Sequence, residues 1–155
     1  MKQTTKRLLL CLAIPLAVGG LSSLLAGGMK SFAQVEQPPL SPPGWLFPVV
    51  WTVLYLMMGL ASYLVLASGK PKAMQQYALK PYILQLGFNF FWSILFFRLA
   101  VYYTAFVWLL VLWVLILVTA VRFSKIDKRA AYLLIPYLVW VAFAGYLNLG
   151  VALLN

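Results

Sequence analysis

The chain has 155 residues, 65% of them hydrophobic and 9% charged, with a mean hydropathy of +0.95. A soluble domain is roughly 45–50% apolar and about 25% charged, so this composition excludes a water-soluble fold and requires one integral membrane domain, residues 1–155. The net charge of +10 sits at the ends of apolar runs, which excludes a nucleic-acid surface, while one cysteine, no histidine and two acids exclude an intrachain disulfide, a metal centre built from the usual donors, and Ser-His-Asp or Cys-His catalysis.

A spanning helix needs about 20 mostly apolar residues, and five stretches qualify. The first covers about 8–26, behind Lys2, Lys6 and Arg7 and ahead of a Gly27-Gly28 stop. Ser31-Phe32-Ala33 resembles a signal-peptidase site, but the preceding apolar run exceeds a signal core of ~7–15 residues, so an uncleaved first helix is expected. A Pro-rich loop from Gly27 to Gly44 then leads into the second span, about 45–67. Pro42 and Pro43 stiffen its approach, and Pro48 falls in the first turn, where a missing N–H costs little. Trp45, Trp108 and Trp113 are expected in the interfacial belt. Ser68-Gly69-Lys70-Pro71 ends the second span. The third covers about 79–97, with Arg98 marking a tight turn, and the fourth about 101–123. Ser124-Lys125-Ile126-Asp127-Lys128-Arg129 precedes the fifth, about 131–154. The expected fold is an all-α membrane protein, a five-transmembrane-helix bundle.

Lysine and arginine in short loops set orientation. With five spans, Lys2, Lys6, Arg7, Lys70, Lys72, Lys80, Arg122, Lys125, Lys128 and Arg129 fall on one side, and only Lys30 and Arg98 on the other. The N-terminus is therefore expected in the cytoplasm and the C-terminus outside, in a bacterial cell membrane.

No Asp, Glu, Lys or Arg lies mid-span, which argues against an ion-coupled pump. The polar residues that remain are neutral and keep helical spacing. Phe47, Trp51 and Tyr55 recur every four residues on the second helix, Gln85 and Asn89 with Trp92 and Ser93 share a face of the third, and Trp140, Ala144 and Asn148 repeat every four on the fifth. Two readings stay open. The stripes are interhelical packing, with amides bridging helices, or they line a cavity for a flat apolar ligand with a few polar edges.

"PPGWLFPVVWTVLYLMMGLASYLV" (Pro42 to Val65) resembles the second helix and preceding loop of the TspO/translocator protein family, also called the peripheral benzodiazepine receptor family. "QLGFNFFWSILFF" (Gln85 to Phe97) resembles its third helix and "LLIPYLVWVAFAGYLNL" (Leu133 to Leu149) its fifth, in the right order. The resemblance implies a homodimer of five-helix bundles whose cavity is closed by the loop between the first two helices. It implies a porphyrin-like or haem-type ligand, with no covalently bound cofactor and no metal, and an affinity for isoquinoline carboxamides and benzodiazepines. Carried over by position, the ligand would be bound by Phe47, Trp51, Tyr55, Gln85, Asn89, Trp92, Trp140, Ala144 and Asn148. Trp51 and Trp140 match the tryptophans that the family links to porphyrin photochemistry, so they would be catalytic if the protein degrades porphyrin with light and oxygen. Transport of a tetrapyrrole or sterol is a third reading.

The sequence departs from the family pattern in two places. Two loop aromatics are replaced by Ser31 and Leu40, which bears on how the lid closes. No basic residue follows Arg129, so the C-terminal sterol motif of animal members is missing.

Overall fold

The computed structural model describes residues 2–27 and 30–155. Gly28 of the Gly27-Gly28 stop and the side chains of Lys30 and Ser31 lie outside the described residues. Secondary structure among them is helical throughout: α1 (Gln3–Ala26), α2 (Lys30–Gln34), α3 (Leu46–Leu66), α4 (Lys72–Ser93), α5 (Tyr102–Ser124) and α6 (Lys128–Leu154). Gly27 stops α1 with φ 82°, a left-handed conformation that glycine adopts without a Cβ penalty, and its N–H returns to Leu24 O at 3.3 Å. Asp127 caps α6 by accepting from Arg129 N at 2.9 Å, and the Arg129 side chain holds that carboxyl below the usual carboxylate range.

Among the described residues four helices are long and apolar enough to cross a membrane: α1, α3, α5 and α6. The expected third span is different. Its helix begins seven residues before position 79, and it carries Lys72, Lys80, Gln85 and Asn89. Its apolar run continues past Ser93 into a π-helical turn, Ile94–Arg98. The apolar stretch read as one span is thus shared between two helical types. Leu99 N reaches Ile94 O at 2.9 Å to close that wide turn, and Ala100 follows at φ 54°.

The helices pair in the order α1 with α3, α3 with α6, α6 with α5, α5 with α4, and α4 with α1. The buried layer is mainly aliphatic, with Met58, Val65, Leu109, Leu112, Ile116 and Leu134 at its centre. Lipid tails are as apolar as leucine, so close backbone approach rather than water exclusion holds such helices together. Gly59 supplies that approach: a Cβ there would stand 2.5 Å from Cys11 O and 2.9 Å from Leu12 Cα. Trp108 and Trp113 are half-buried and tie α5 to its neighbours, donating to Phe88 O at 2.8 Å and to Leu138 O at 3.0 Å. Trp45 is 69% exposed, as an interfacial tryptophan would be.

The cationic segments gather where helix ends meet. Arg7 Nη1 donates to Leu66 O, and Arg122 donates to Tyr77 O at 2.8 Å with its guanidinium over the Tyr77 ring. At the opposite end Arg98 donates to Leu25 O at 2.9 Å, satisfying a terminal carbonyl of α1.

Gly59→Leu is expected to destabilise the protein in detergent by about 1–3 kcal/mol or more, because the obstacle is backbone that cannot move aside. Gly87→Leu is the matched control, since nothing lies within 4 Å of a Cβ there. Thermal unfolding followed by circular dichroism measures both.

Candidate functional site

Helices α3, α4 and α6 face one another, and their polar side chains meet in one chain of hydrogen bonds. Tyr55 Oη donates to Asn89 Oδ1 at 3.3 Å. Asn89 Nδ2 donates to Tyr137 Oη at 2.6 Å, and Tyr137 Oη donates to Gln85 Oε1 at 2.6 Å. Gln85 Nε2 reaches Met58 Sδ at 3.8 Å. Gln85, Asn89 and Tyr137 are buried, so each bond replaces one that water would have supplied. Tyr137 was not among the expected residues. Its spacing was the available signal: it stands seven residues before Ala144 and eleven before Asn148, on the same face.

Toward the π-helical turn the core becomes aromatic. Trp92 Nε1 donates to Asn148 Oδ1 at 3.0 Å, and Asn148 Nδ2 donates to Tyr102 O at 2.8 Å, which fixes both side chains. Phe96 stacks on Trp92 with centroids 5.3 Å apart, and Phe97 meets Trp92 edge-on at 5.9 Å. Trp51 lies 5.6 Å from Tyr55 and 6.4 Å from Trp92, and Phe47 meets Trp140 edge-on at 5.8 Å. Six of the expected residues, Phe47, Trp51, Trp92, Trp140, Ala144 and Asn148, line one cavity. Its volume is about 20 Å³, because the rings fill it. Tyr55 instead lines a neighbouring cavity of about 280 Å³ between α1 and α3. Gln85 and Asn89 line neither and serve the hydrogen-bond chain. Trp51 and Phe47 wall both cavities.

The indole Nε1 of Trp140 is buried without a hydrogen-bond partner. The half-buried indoles of α5, Trp108 and Trp113, find backbone carbonyls, and Trp140 on α6 does not. A buried N–H left unpaired costs about 1–3 kcal/mol.

The loop after α1 covers this core, and the way it does so was not legible in advance. Phe32 from α2 is buried against Phe47 at 5.4 Å, Phe96 at 6.0 Å and Phe97 at 6.3 Å. It supplies the aromatic contact of the lid. Leu40, at φ 71° and 84% exposed, covers nothing. The loop is fastened to α6. Glu36 N donates to Asn155 Oδ1 at 3.1 Å and Asn155 Nδ2 donates to Glu36 O at 2.9 Å. Tyr146 Oη donates to Pro39 O at 2.5 Å, and Pro38 sits so close to Gly150 that a Cβ there would overlap its ring.

A helical membrane protein with a tryptophan-rich core under a clasped loop is the class these features define. The sequence matches the TspO/MBR family over residues 11–154, and the chain belongs to that family. It is 38% identical over 150 residues to the "Tryptophan-rich protein TspO" of Chlorobaculum tepidum, a match covering 96% of this chain and 95% of that protein. It is 34% identical over 125 residues to the "Tryptophan-rich sensory protein" of Cereibacter sphaeroides, covering 80% and 76%. It is 37% identical over 124 residues to the "Translocator protein" of Ovis aries, covering 78% and 72%. Family and helices together make this an integral membrane protein.

Tyr137→Phe tests the chain of hydrogen bonds. The change leaves Gln85 Oε1 and Asn89 Nδ2 buried without partners, so a loss of about 1–3 kcal/mol in unfolding free energy is expected. The measurement is denaturant unfolding in detergent, with Tyr132→Phe, on an exposed ring, as the comparison.

Proposed function

We propose that this protein binds a flat, largely apolar, porphyrin-like molecule in the core between α3, α4 and α6, within a bundle of five spans. The observation that carries the reading is Trp140. Its buried, unpaired Nε1 is a donor held ready for a ligand acceptor, and Ala144, one turn on, leaves room beside it. Three indoles offer faces on which a flat π-system can stack. Drug-sized sites occupy about 300–1,000 Å³. The 20 Å³ between the rings is far below that. Admission therefore requires the Phe32 lid to lift and the rings of Trp51 and Trp140 to turn. We further infer that α4 with its π-helical extension is the fifth span, that the basic end of the bundle is cytoplasmic, and that the protein works as a homodimer. Names such as "sensory protein" and "translocator protein" among the relatives agree with recognition of a small molecule.

Titration with protoporphyrin in detergent is expected to give saturable quenching of tryptophan fluorescence at micromolar concentration. Ala144→Phe should abolish it by filling the site. Trp140→Phe should weaken it about ten-fold, the loss of a buried hydrogen bond of the usual size. Quenching that does not saturate with the unaltered protein overturns the reading.

A second reading is favoured by the position of Trp51, Trp92 and Trp140 around one cavity. An indole can give an electron to a photoexcited porphyrin, with dioxygen as the oxidant, so bound porphyrin would be degraded in light. Under illumination the absorption band of the bound porphyrin should then fade faster than that of the free compound. The double variant Trp51→Phe with Trp140→Phe should remove the difference. Undiminished bleaching in the double variant assigns the protein to binding alone.

A further inference from the structure

The cavity between α1 and α3 has a chemistry of its own. At about 280 Å³ it is the roomier neighbour of the ring-filled core, with Trp51 as the partition. Gly20 and Ser23 form its α1 wall, Trp51 and Thr52 its α3 wall, and Ser93 and Phe97 its floor. Gly20, Ser23 and Thr52 are exposed, so the cavity opens sideways on a face that meets lipid rather than into the helical interior. Thr52 Oγ1 is committed to Pro48 O at 2.7 Å. The hydroxyls of Ser23 and Ser93 make no hydrogen bond among the described residues.

A cation stands beside two residues of the lining. Arg98 follows Phe97 in the chain, and its Nη1 is fixed 2.9 Å from Leu25 O, next to the lining residue Ala26. A guanidinium has five N–H donors, and this contact uses one. Within the described residues the single ion pair is Arg129 with Asp127, so Arg98 has no carboxylate partner. An unpaired cation and two free hydroxyls beside an apolar wall complement an anion on an apolar body. The groove between α3 and α6 makes the contrast. It is larger, about 720 Å³, but walled by residues such as Val53, Met57, Ile135 and Val139, with no cation or hydroxyl in its lining to select a head group.

We propose that the α1–α3 cavity is a second binding site, for a membrane-soluble carboxylic acid with a single apolar body. The carboxylate takes the free donors of Arg98 and the hydroxyls of Ser23 and Ser93, and the body lies against the Trp51 ring. Size excludes a two-chain phospholipid, since the cavity stands at the lower edge of the ~300–1,000 Å³ that drug-sized ligands occupy. The site does not depend on what the aromatic core binds.

The test is photolabelling of the full chain in phosphatidylcholine nanodiscs with a diazirine-bearing fatty acid, its methyl ester serving as the uncharged probe. Labelled peptides are identified by mass spectrometry. Saturable label is expected on residues 16–26 and 47–55, removed by excess unmodified fatty acid, with the ester giving none. Gly20→Leu should abolish it by filling the cavity, and this variant should fold, because nothing lies within 4 Å of a Cβ at that position. Arg98→Gln should weaken it about ten-fold, the cost of a lost hydrogen bond to a charged group, while Arg98→Lys retains it. Gly87→Leu, at a position that does not line the cavity, should leave it unchanged. Label that excess acid does not compete, that the ester reproduces, that spreads evenly around the helices, or that survives Gly20→Leu reflects partition into the bilayer and overturns the proposal.

Discussion

The hydroxyl of Tyr137 has to donate and accept at once, and the rest of the interior is arranged so that it can. It gives its proton to Gln85 Oε1 and takes one from Asn89 Nδ2, both at 2.6 Å. In an apolar interior an amide without a partner costs more than its bond is worth, so these groups fix the relative height of α4 and α6. Tyr55 joins the same chain from α3. With those three helices in register, the aromatic layer next to them has little freedom. Trp92 is held by Asn148, and Asn148 by the backbone of Tyr102. Among the described residues, the indoles of that layer left without such ties are Trp51, between two cavities, and Trp140, whose Nε1 has no partner. Rigidity in one layer thus defines where movement is available in the next.

The lid follows the same logic by other means. The clasp on α6 uses backbone groups of Glu36 and Pro39, with Asn155 and Tyr146 supplying the side chains. Such a clasp is insensitive to the identity of the loop side chains. That explains how Leu40 can replace an aromatic and still leave a covered core, with Phe32 reaching the rings. The π-helical turn contributes on the opposite side. Its wider pitch puts the neighbouring residues Phe96 and Phe97 both against Trp92 and against Phe32.

Much of this was legible in the chain. Apolar length located α1, α3, α5 and α6 to within a few residues, since only a helix satisfies its backbone inside a bilayer. Spacing by four put Trp51 with Tyr55 and Trp140 with Ala144 on shared faces. Spacing could not say whether an amide on such a face spans to another helix or points into a void. Gln85, Asn89 and Asn148 all do the first, Asn148 by holding Trp92 at the cavity wall. Tyr137 is not marked by spacing alone, because a tyrosine ring reads as one more apolar residue and only its partners reveal the hydroxyl. Trp108 and Trp113 read as interfacial by type, yet they bind carbonyls of adjacent helices, whose positions no local pattern contains.

The amino-acid sequence by itself determined that this is a helical membrane protein of the TspO/MBR family, because hydropathy, charge placement and short motifs are properties of neighbouring residues. It also determined where α1 and α3 stop, through Gly27 and Gly69, and where α6 starts, through Asp127. Tertiary structure alone decided that the aromatic stripes divide into a ring-filled core and a lateral cavity, that Trp51 is the wall between them, and that Trp140 keeps an unpaired donor. Those outcomes depend on side chains from three or four helices competing for the same few ångströms. Arg98 illustrates the difference: in sequence it marks a turn, and in space it stands beside the end of α1, 73 residues earlier.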